Sequence, residues 1–321
     1  MAGDLQETPA SAPDFRSLAA RLGPQLLRRR LHRQADIVAG LTHQGEGALA
    51  IERIVPLDRI ITGILHITGF HARGVNNCRA VRVVTREQRL PNLPVEFDGF
   101  RLLHLSDLHL DLVPGFTDVV VDLIRRTPHD FAVITGDFAD HPAGYFHNCL
   151  GDIRRIVAEL EPGALAVLGN HDIIEIVPHL EAAGLRVLLN ENSALERHGA
   201  RLWFAGIDDP HFYTTHDLEA AHRGIPPGAC AILLSHSPQT YDDAQQHAFS
   251  FMLSGHTHGG QICLPGGFPL IRNGRCPSRM ISGAWKHEGL RGYTSRGTGA
   301  CGVAARFNCP AEMTVHVLRQ E

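Results

Sequence analysis

Ten residues of this chain combine types and positions that suit chemistry better than packing. Asp107 and His109 close the run RLLHLSDLH, and Asp137 and Asp140 follow FAVITG. Asn170, His171 and Asp172 follow LAVLG, His236 ends AILLSH, and His256 and His258 sit between glycines in FMLSGHTHGG. Each group comes directly after an apolar stretch of strand type. In α/β sheets, ligands gather beyond the carboxyl ends of the strands, where several strand ends converge. One crevice would therefore collect all five groups. Gly136, Gly169 and Gly255 allow the tight turns that this requires.

The chemistry follows from the residue types. Asp, His and Asn without a thiolate suit manganese, iron or zinc. There are too many donors for one tetrahedral ion. A carboxylate such as Asp137 can bridge two ions about 3.5–4 Å apart, an arrangement that clamps phosphoryl oxygens in hydrolysis. Two divalent ions, two ligating aspartates and one hydroxide leave about one net positive charge, suited to an anionic phosphate. D-x-H alone is commonplace, while G-N-H-D and G-H-x-H are more specific. The signal is their joint occurrence in this order, each after an apolar run.

The elements that must position these residues are read from periodicity. RLLHLS, DFAVITGD and ALAVLGNHD are strands, and GFTDVVVDLIRRT (115–127) and HNCLGDIRRIVAELEP (147–162) have helical spacing between them. Strand alternating with helix predicts βαβ units around a buried sheet. Later segments are mostly strands at short spacing: LRVLLN, the hairpin SALERHGARLWFAGI turning near His198 and Gly199, ACAILLSHS, SFMLSGHTH, GLRGYTS and AEMTVHVL. A second, strand-rich sheet is expected. No internal repeat or low-complexity block is present. Residues 1–90 read as helices and loops, ending in LPNLPVEFDGF, a proline-punctuated linker into a strand. The expected division is an N-terminal extension over 1–95 and one catalytic domain over 96–321.

Composition narrows the class. The 321 residues are 44% hydrophobic and 20% charged with a formal net charge of −4, which is globular and carries no nucleic-acid signature. Seven cysteines without a C-x-x-C pair read as reduced thiols of a cytosolic protein. The opening residues lack a secretory signal, and RIITGILHITGF (59–70) is too short to cross a bilayer. Phe15, Leu18, Leu22, Leu26 and Leu27 follow helical spacing, and Arg28, Arg29, Arg30 and Arg33 close that segment. Such a segment suits either an anionic membrane surface or packing on the domain with solvated arginines. The expected location is cytoplasmic, with weak peripheral association at the inner membrane face as the alternative.

Read in order, DLH, GDFAD, GNHD, SH and GHTH resemble the signature of the calcineurin-like metallophosphoesterases, over roughly residues 98–320. GHTHGGQICLPG, LLNENS and RFNCPAEMTVHVL further resemble the bacterial YaeI/YkuE-type phosphohydrolases. The resemblance implies an α/β fold, a four-layer αββα sandwich of two mixed sheets with a dinuclear centre at the strand C-termini. It implies two divalent ions (manganese, zinc or iron). One would be held by Asp107, His109, Asp137 and His258, the other by Asp137, Asn170, His236 and His256.

The implied reaction is hydrolysis of a phosphomonoester or phosphodiester by a hydroxide bridging the metals, with His171 giving a proton to the leaving oxygen. Asp140 and Asp172 would orient ligand or catalytic histidines. An equally good reading of Asp140 is a turn residue or helix cap. Asp140 also stands where purple-acid-phosphatase-like sites have a tyrosine. The expected substrate is a phosphorylated small molecule or a lipid-linked phosphate, with no specific nucleic acid. The alternatives are a nuclease-type phosphodiesterase and a catalytically silent scaffold of the same fold. Residues 263–300, Gly-rich and carrying Arg272, Arg275, Arg279 and Arg296, read as a lid or as a plain surface connection. His211 and His216 in PHFYTTH would rim the pocket.

Overall fold

Leu102 and Leu103, adjacent in the strand Arg101–Leu105, point to opposite faces of their sheet, and both are fully buried. That is why the strands read as unbroken apolar runs: each central strand is covered on two sides. A computed structural model describes residues 15–38, 57–141, 145–160, 162–271 and 273–321. Arg272, expected in the lid, lies outside the described residues.

The chain begins with helices α1 (Phe15–Leu22), α2 (Pro24–Val38), α3 (Leu57–Ile67) and α4 (His71–Arg79). Then come β1 (Arg82–Leu90), β2 (Arg101–Leu105), α5 (Phe116–Arg126), β3 (Phe131–Thr135) and α6 (Leu150–Val157). β4 (Ala164–Val167), α7 (Val177–Ala182) and β5 (Leu185–Val187) complete the first half. The second half holds β6 (Glu191–Arg197), β7 (Ala200–Gly206), α8 (Leu218–His222), β8 (Ala231–Leu234), α9 (Tyr241–Gln246) and β9 (Phe251–Ser254). A small hairpin, β10 (Cys263–Leu264) and β11 (Phe268–Pro269), precedes β12 (Gly283–His287), β13 (Leu290–Thr294) and β14 (Glu312–Gln320).

Two six-stranded mixed sheets result, in the orders β1-β14-β2-β3-β4-β5 and β12-β13-β9-β8-β7-β6. Between them Leu102, Val133 and Val167 of the first sheet meet Phe204, Ile232 and Leu253 of the second. Outside the first sheet, Leu103, Ala132 and Ile134 pack on Val120, Ile124 and Ile153 of α5 and α6. Outside the second, Leu233 and Met252 pack against Leu218 and Ala244 of α8 and α9. The layers are αββα.

Strand β1 differs from the reading of residues 1–90 as helices and loops. RVVTREQRL is largely exposed and polar, so it has little strand signal of its own. It is held by parallel pairing along its whole length with β14, more than 200 residues away. The N-terminal stripe packs on the domain: Leu18, Leu22 and Leu27 are buried in the outer core of the first sheet. Three of the four closing arginines are engaged too. Arg30 is fully buried, Arg33 donates to Phe212 O at 2.7 Å, and Arg29 donates to Thr214 O at 3.1 Å. Arg21 pairs with Glu191 and Glu181 at 2.8 and 2.9 Å. Among the described residues no helix is long and apolar enough to cross a membrane.

Candidate metal centre

Every group singled out above stands at the carboxyl end of a strand. Asp107 and His109 follow β2, Asp137 and Asp140 follow β3, and Asn170, His171 and Asp172 follow β4. His236 follows β8, and His256 and His258 follow β9. The parallel alignment of β2, β3 and β4 in one sheet and of β8 and β9 in the other brings these ends to one rim.

The seven expected ligands form one connected set. His258 Nε2 is 3.4 Å from Asp107 Oδ1 and 3.2 Å from His109 Nε2, which lies 3.7 Å from Asp137 Oδ2. The same oxygen lies 3.2 Å from His236 Nε2, which is 2.9 Å from Asn170 Oδ1. Asn170 Oδ1 is in turn 2.8 Å from His256 Nδ1. Asp137 Oδ2 thus faces both halves of the set.

The backbone here is bent against ordinary preference. Asp107, His109, Asp137, His256 and His258 have φ of 53°, 42°, 58°, 70° and 49°. Left-handed conformations cost non-glycine residues roughly 1–3 kcal/mol each and persist where the surroundings over-determine them. The amides of Asp107 and His109 are tied to Gly136 O and Asp137 O at 2.9 and 3.1 Å. Two glycines make room. A Cβ on Gly169 would lie 2.1 Å from Asp137 Oδ1, and one on Gly255 would lie 1.8 Å from Ser106 Oγ.

The donor set fits metal ions on its own geometry. His236 Nδ1 donates to Thr135 O at 2.7 Å, which in the neutral ring leaves the Nε2 lone pair facing a carboxylate and an amide oxygen. Lone pairs converging in this way need a cation or a proton between them. His109 turns Nε2 inward while Nδ1 lies 3.2 Å from Asp140 Oδ1, the carboxylate–histidine arrangement that fixes ligating imidazoles. The Nη2 hydrogens of buried Arg306 go to Arg296 O and Gly299 O at 2.7 and 2.5 Å. His258 Nδ1 lies 3.1 Å from that nitrogen, and its Nε2 faces Asp107 Oδ1 and His109 Nε2. His256 Nε2 is buried without a hydrogen-bond partner among the described residues.

Electrostatics separate the histidines. Burial opposes charge on all four. At His109 the carboxylates of Asp140, Asp137 and Asp107 outweigh it and lift the ring to about 9. At His236 burial is outweighed chiefly by Asp137, and the ring rises to about 10. His258 falls to about 4 because burial exceeds the pull of Asp107. His256 is pushed well below its usual value by burial and by neighbouring His211 and His236. Burial raises Asp107, but His258 and His236 bring it down to about 2. In the free chain, protons on His109 and His236 thus provide the positive charge that metals would provide.

The other expected residues fall into place individually. His171 donates its amide to Asp137 Oδ1 at 2.9 Å, and its Nδ1 lies 2.5 Å from Asp140 O. Its Nε2 lies 3.5 Å from Cys301 Sγ. Asp140 faces His109. Asp172, expected to orient a histidine, instead accepts the amides of Asp137, Phe138 and Gly169 at 2.8–2.9 Å. It lies beneath the turns rather than beside a ring, so it braces the backbone that presents Asp137. His211 is brought to the site, its ring 4.0 Å from that of His256. His216, further along the loop, keeps a buried Nδ1 without a partner among the described residues.

Sequence reasoning missed Asp208, whose Oδ1 pairs with Arg30 at 2.6 Å, both side chains fully buried. Arg30 also donates to Asp172 O at 2.7 Å. The signal was present: Asp208 and Asp209 follow the apolar strand β7 just as the other groups follow theirs. Arg306 and Cys301 lie in a loop with no such signature.

Residues 100–260 match the calcineurin-like phosphoesterase family. The chain belongs to that family. Among similar proteins, the uncharacterized metallophosphoesterase YkoQ of Bacillus subtilis is 31% identical over 233 residues, covering 67% of this chain and 82% of YkoQ. Phosphodiesterase YaeI of Escherichia coli is 28% identical, covering 67% of this chain and 81% of YaeI. A transmembrane protein with metallophosphoesterase domain from Bos taurus is 29% identical over 81% of this chain, which spans 61% of that relative. As a calcineurin-like phosphoesterase, the protein is a metal-dependent phosphoric ester hydrolase, and its bacterial relatives are of the YaeI/YkuE type.

Proposed function

We propose that the centre holds two divalent ions and that the enzyme hydrolyses phosphomonoesters or phosphodiesters of small molecules. Asp107, His109 and His258 bind one ion, Asn170, His236 and His256 bind the other, and Asp137 is shared. The observation that carries this reading is Asp137 Oδ2, which stands 3.7 Å from His109 Nε2 and 3.2 Å from His236 Nε2. Manganese, zinc or iron at this place supplies Lewis acidity to the phosphoryl oxygens and lowers the pKa of water.

The chain's own residues do the rest. Asp140 stands against Nδ1 of His109 and Arg306 against Nδ1 of His258, so each ring turns its Nε2 inward. His171, half-buried and not among the ligands, is held through Nδ1 by Asp140 O, so its Nε2 reaches the departing oxygen and gives it a proton. As the P–O bond breaks, that oxygen leaves as an alcohol and not as an alkoxide. Asp172 and Arg30 keep the turns that carry Asp137 and Asn170 rigid, which maintains the near-ångström placement such positioning needs.

The test is elemental analysis of protein stripped and then reloaded with manganese, paired with turnover of bis-p-nitrophenyl phosphate. Two ions per chain are expected in the wild type, with loss of both stoichiometry and turnover in Asp137→Asn. A single bound ion together with a fully active Asp137→Asn protein would refute the shared carboxylate.

A further inference from the structure

Large apolar side chains are exposed on this protein in one region. Among the described residues with more than about a third of their surface exposed, all but Phe15, Val83 and Val95 lie in two places. One is α3 with Phe70 just after it, and the other is the segment 264–271. Ile64 is 54% exposed, Ile67 88%, Phe268 69% and Leu270 59%. Helix α3, LDRIITGILHI, has no buried residue at all, although more than half of its side chains are apolar. Contiguous apolar surface of this kind marks a binding site in a soluble fold.

Between these two elements runs a cleft of about 370 Å³, within the usual range for a ligand site. Ile61, Ile64 and Leu65 form one wall, and Ile262, Leu270 and Val303 form others. His256 and His258 line it as well. The cleft is therefore continuous with the centre already described, so a group that fills it lies beside that centre.

Away from the histidines, the polar side chains of Gln261 and Thr257 that line the cleft are already occupied. Gln261 donates through Nε2 to Cys301 O and Val303 O, both at 3.0 Å, and accepts the Cys301 amide at 2.8 Å. Thr257 Oγ1 donates to Ile281 O at 2.5 Å. A sugar or a base would lose its water-directed hydrogen bonds here and find few in exchange, which costs about 1–3 kcal/mol per unpaired group. A hydrocarbon chain has none to lose.

We infer that the cleft between α3 and residues 262–271 binds an alkyl or acyl chain attached to the phosphate that is hydrolysed. The inference rests on the hydrolase reading of the same centre and specifies its substrate class: esters whose phosphate carries an apolar chain. Each methylene that enters an apolar cleft contributes about 0.8 kcal/mol, or roughly fourfold in kcat/KM.

The test uses manganese-loaded protein and p-nitrophenyl alkyl phosphates with ethyl, butyl and octyl chains, kept monomeric in solution. Their leaving group is constant, so only the chain varies. The octyl-to-ethyl ratio of kcat/KM is expected to be at least about tenfold in the wild type. That ratio should collapse toward one in Ile64→Gln and in Leu270→Gln, positions exposed enough to tolerate a polar side chain. A flat series in the wild type overturns the subsite, as does a rate that rises only when the ester is presented in vesicles. Calorimetric titration with butyl- and octylphosphonate separates this from failure of the hydrolase reading. Affinity that grows with chain length and falls in Ile64→Gln sustains the subsite even if no ester is turned over. Affinity independent of length overturns it.

Discussion

Arg30→Met removes one half of a buried ion pair, and its effect can be worked from the contacts. Arg30 Nη1 lies 2.6 Å from Asp208 Oδ1 with both side chains fully buried, and its guanidinium carbon lies 3.9 Å over the Tyr213 ring. Without the cation, Asp208 keeps a hydrogen bond from Thr215 Oγ1 at 2.5 Å and the charge has no partner of opposite sign there. Breaking such a pair from one side costs about 3–5 kcal/mol, a large share of a typical folding free energy of about 5–15 kcal/mol. With a urea m-value of about 3 kcal/mol/M, the unfolding midpoint should fall by roughly 1–1.7 M. The double variant Arg30→Met/Asp208→Leu, which removes both charges, should recover more than about 1 kcal/mol of that loss, because no uncompensated charge remains. Chemical denaturation of the wild type, the two single variants and the double variant forms the cycle. A midpoint for Arg30→Met within error of the wild type, or strictly additive costs, would show that α2 is not fastened to the domain as described.

Three further outcomes are expected. Gly169→Ala places a Cβ 2.1 Å from Asp137 Oδ1, so it should lower manganese stoichiometry and turnover while circular dichroism stays unchanged; an active, fully loaded variant would contradict the close packing. His171→Ala should retain its metals yet lose about 10²–10⁴-fold in turnover of esters with poor leaving groups, and less with nitrophenolate; equal losses for both would argue against proton donation. Burial lowers His104 to about 3 and holds neighbouring His316 well below its usual value. From about pH 6.5 down to 3 the unfolded chain therefore takes up protons that the folded one refuses, so stability falls as pH falls, by up to about 1.4 kcal/mol per unit for each group. His104→Gln should flatten that acid arm in denaturation curves measured across the range, and an unchanged slope would disprove the assignment.

The local sequence carried most of the site because its grammar is local. An apolar run ending in Gly, Asp, His or Asn reports a buried strand whose end must turn and present polar atoms, and five such runs named every ligand of the proposed centre. Helix and strand periodicity likewise gave α5, the hairpin of β6 and β7, and the division into two sheets. What failed locally was whatever depends on a distant partner. β1 has the composition of an exposed loop and becomes a strand only because β14 offers it an edge. Asp172 looked like a companion to histidine, but it hydrogen-bonds three amides because β3 and β4 end side by side. The leucine and arginine stripe of α1 and α2 suited a lipid surface as well as a protein core. Only the tertiary structure shows where the stripe packs, since the fully buried guanidinium of Arg30 needs the buried carboxylate of Asp208, which the local sequence does not place beside it. The cleft beside α3 is the same kind of fact: its walls come from segments about 200 residues apart, and their apolar faces acquire meaning only when the fold sets them over the same two histidines.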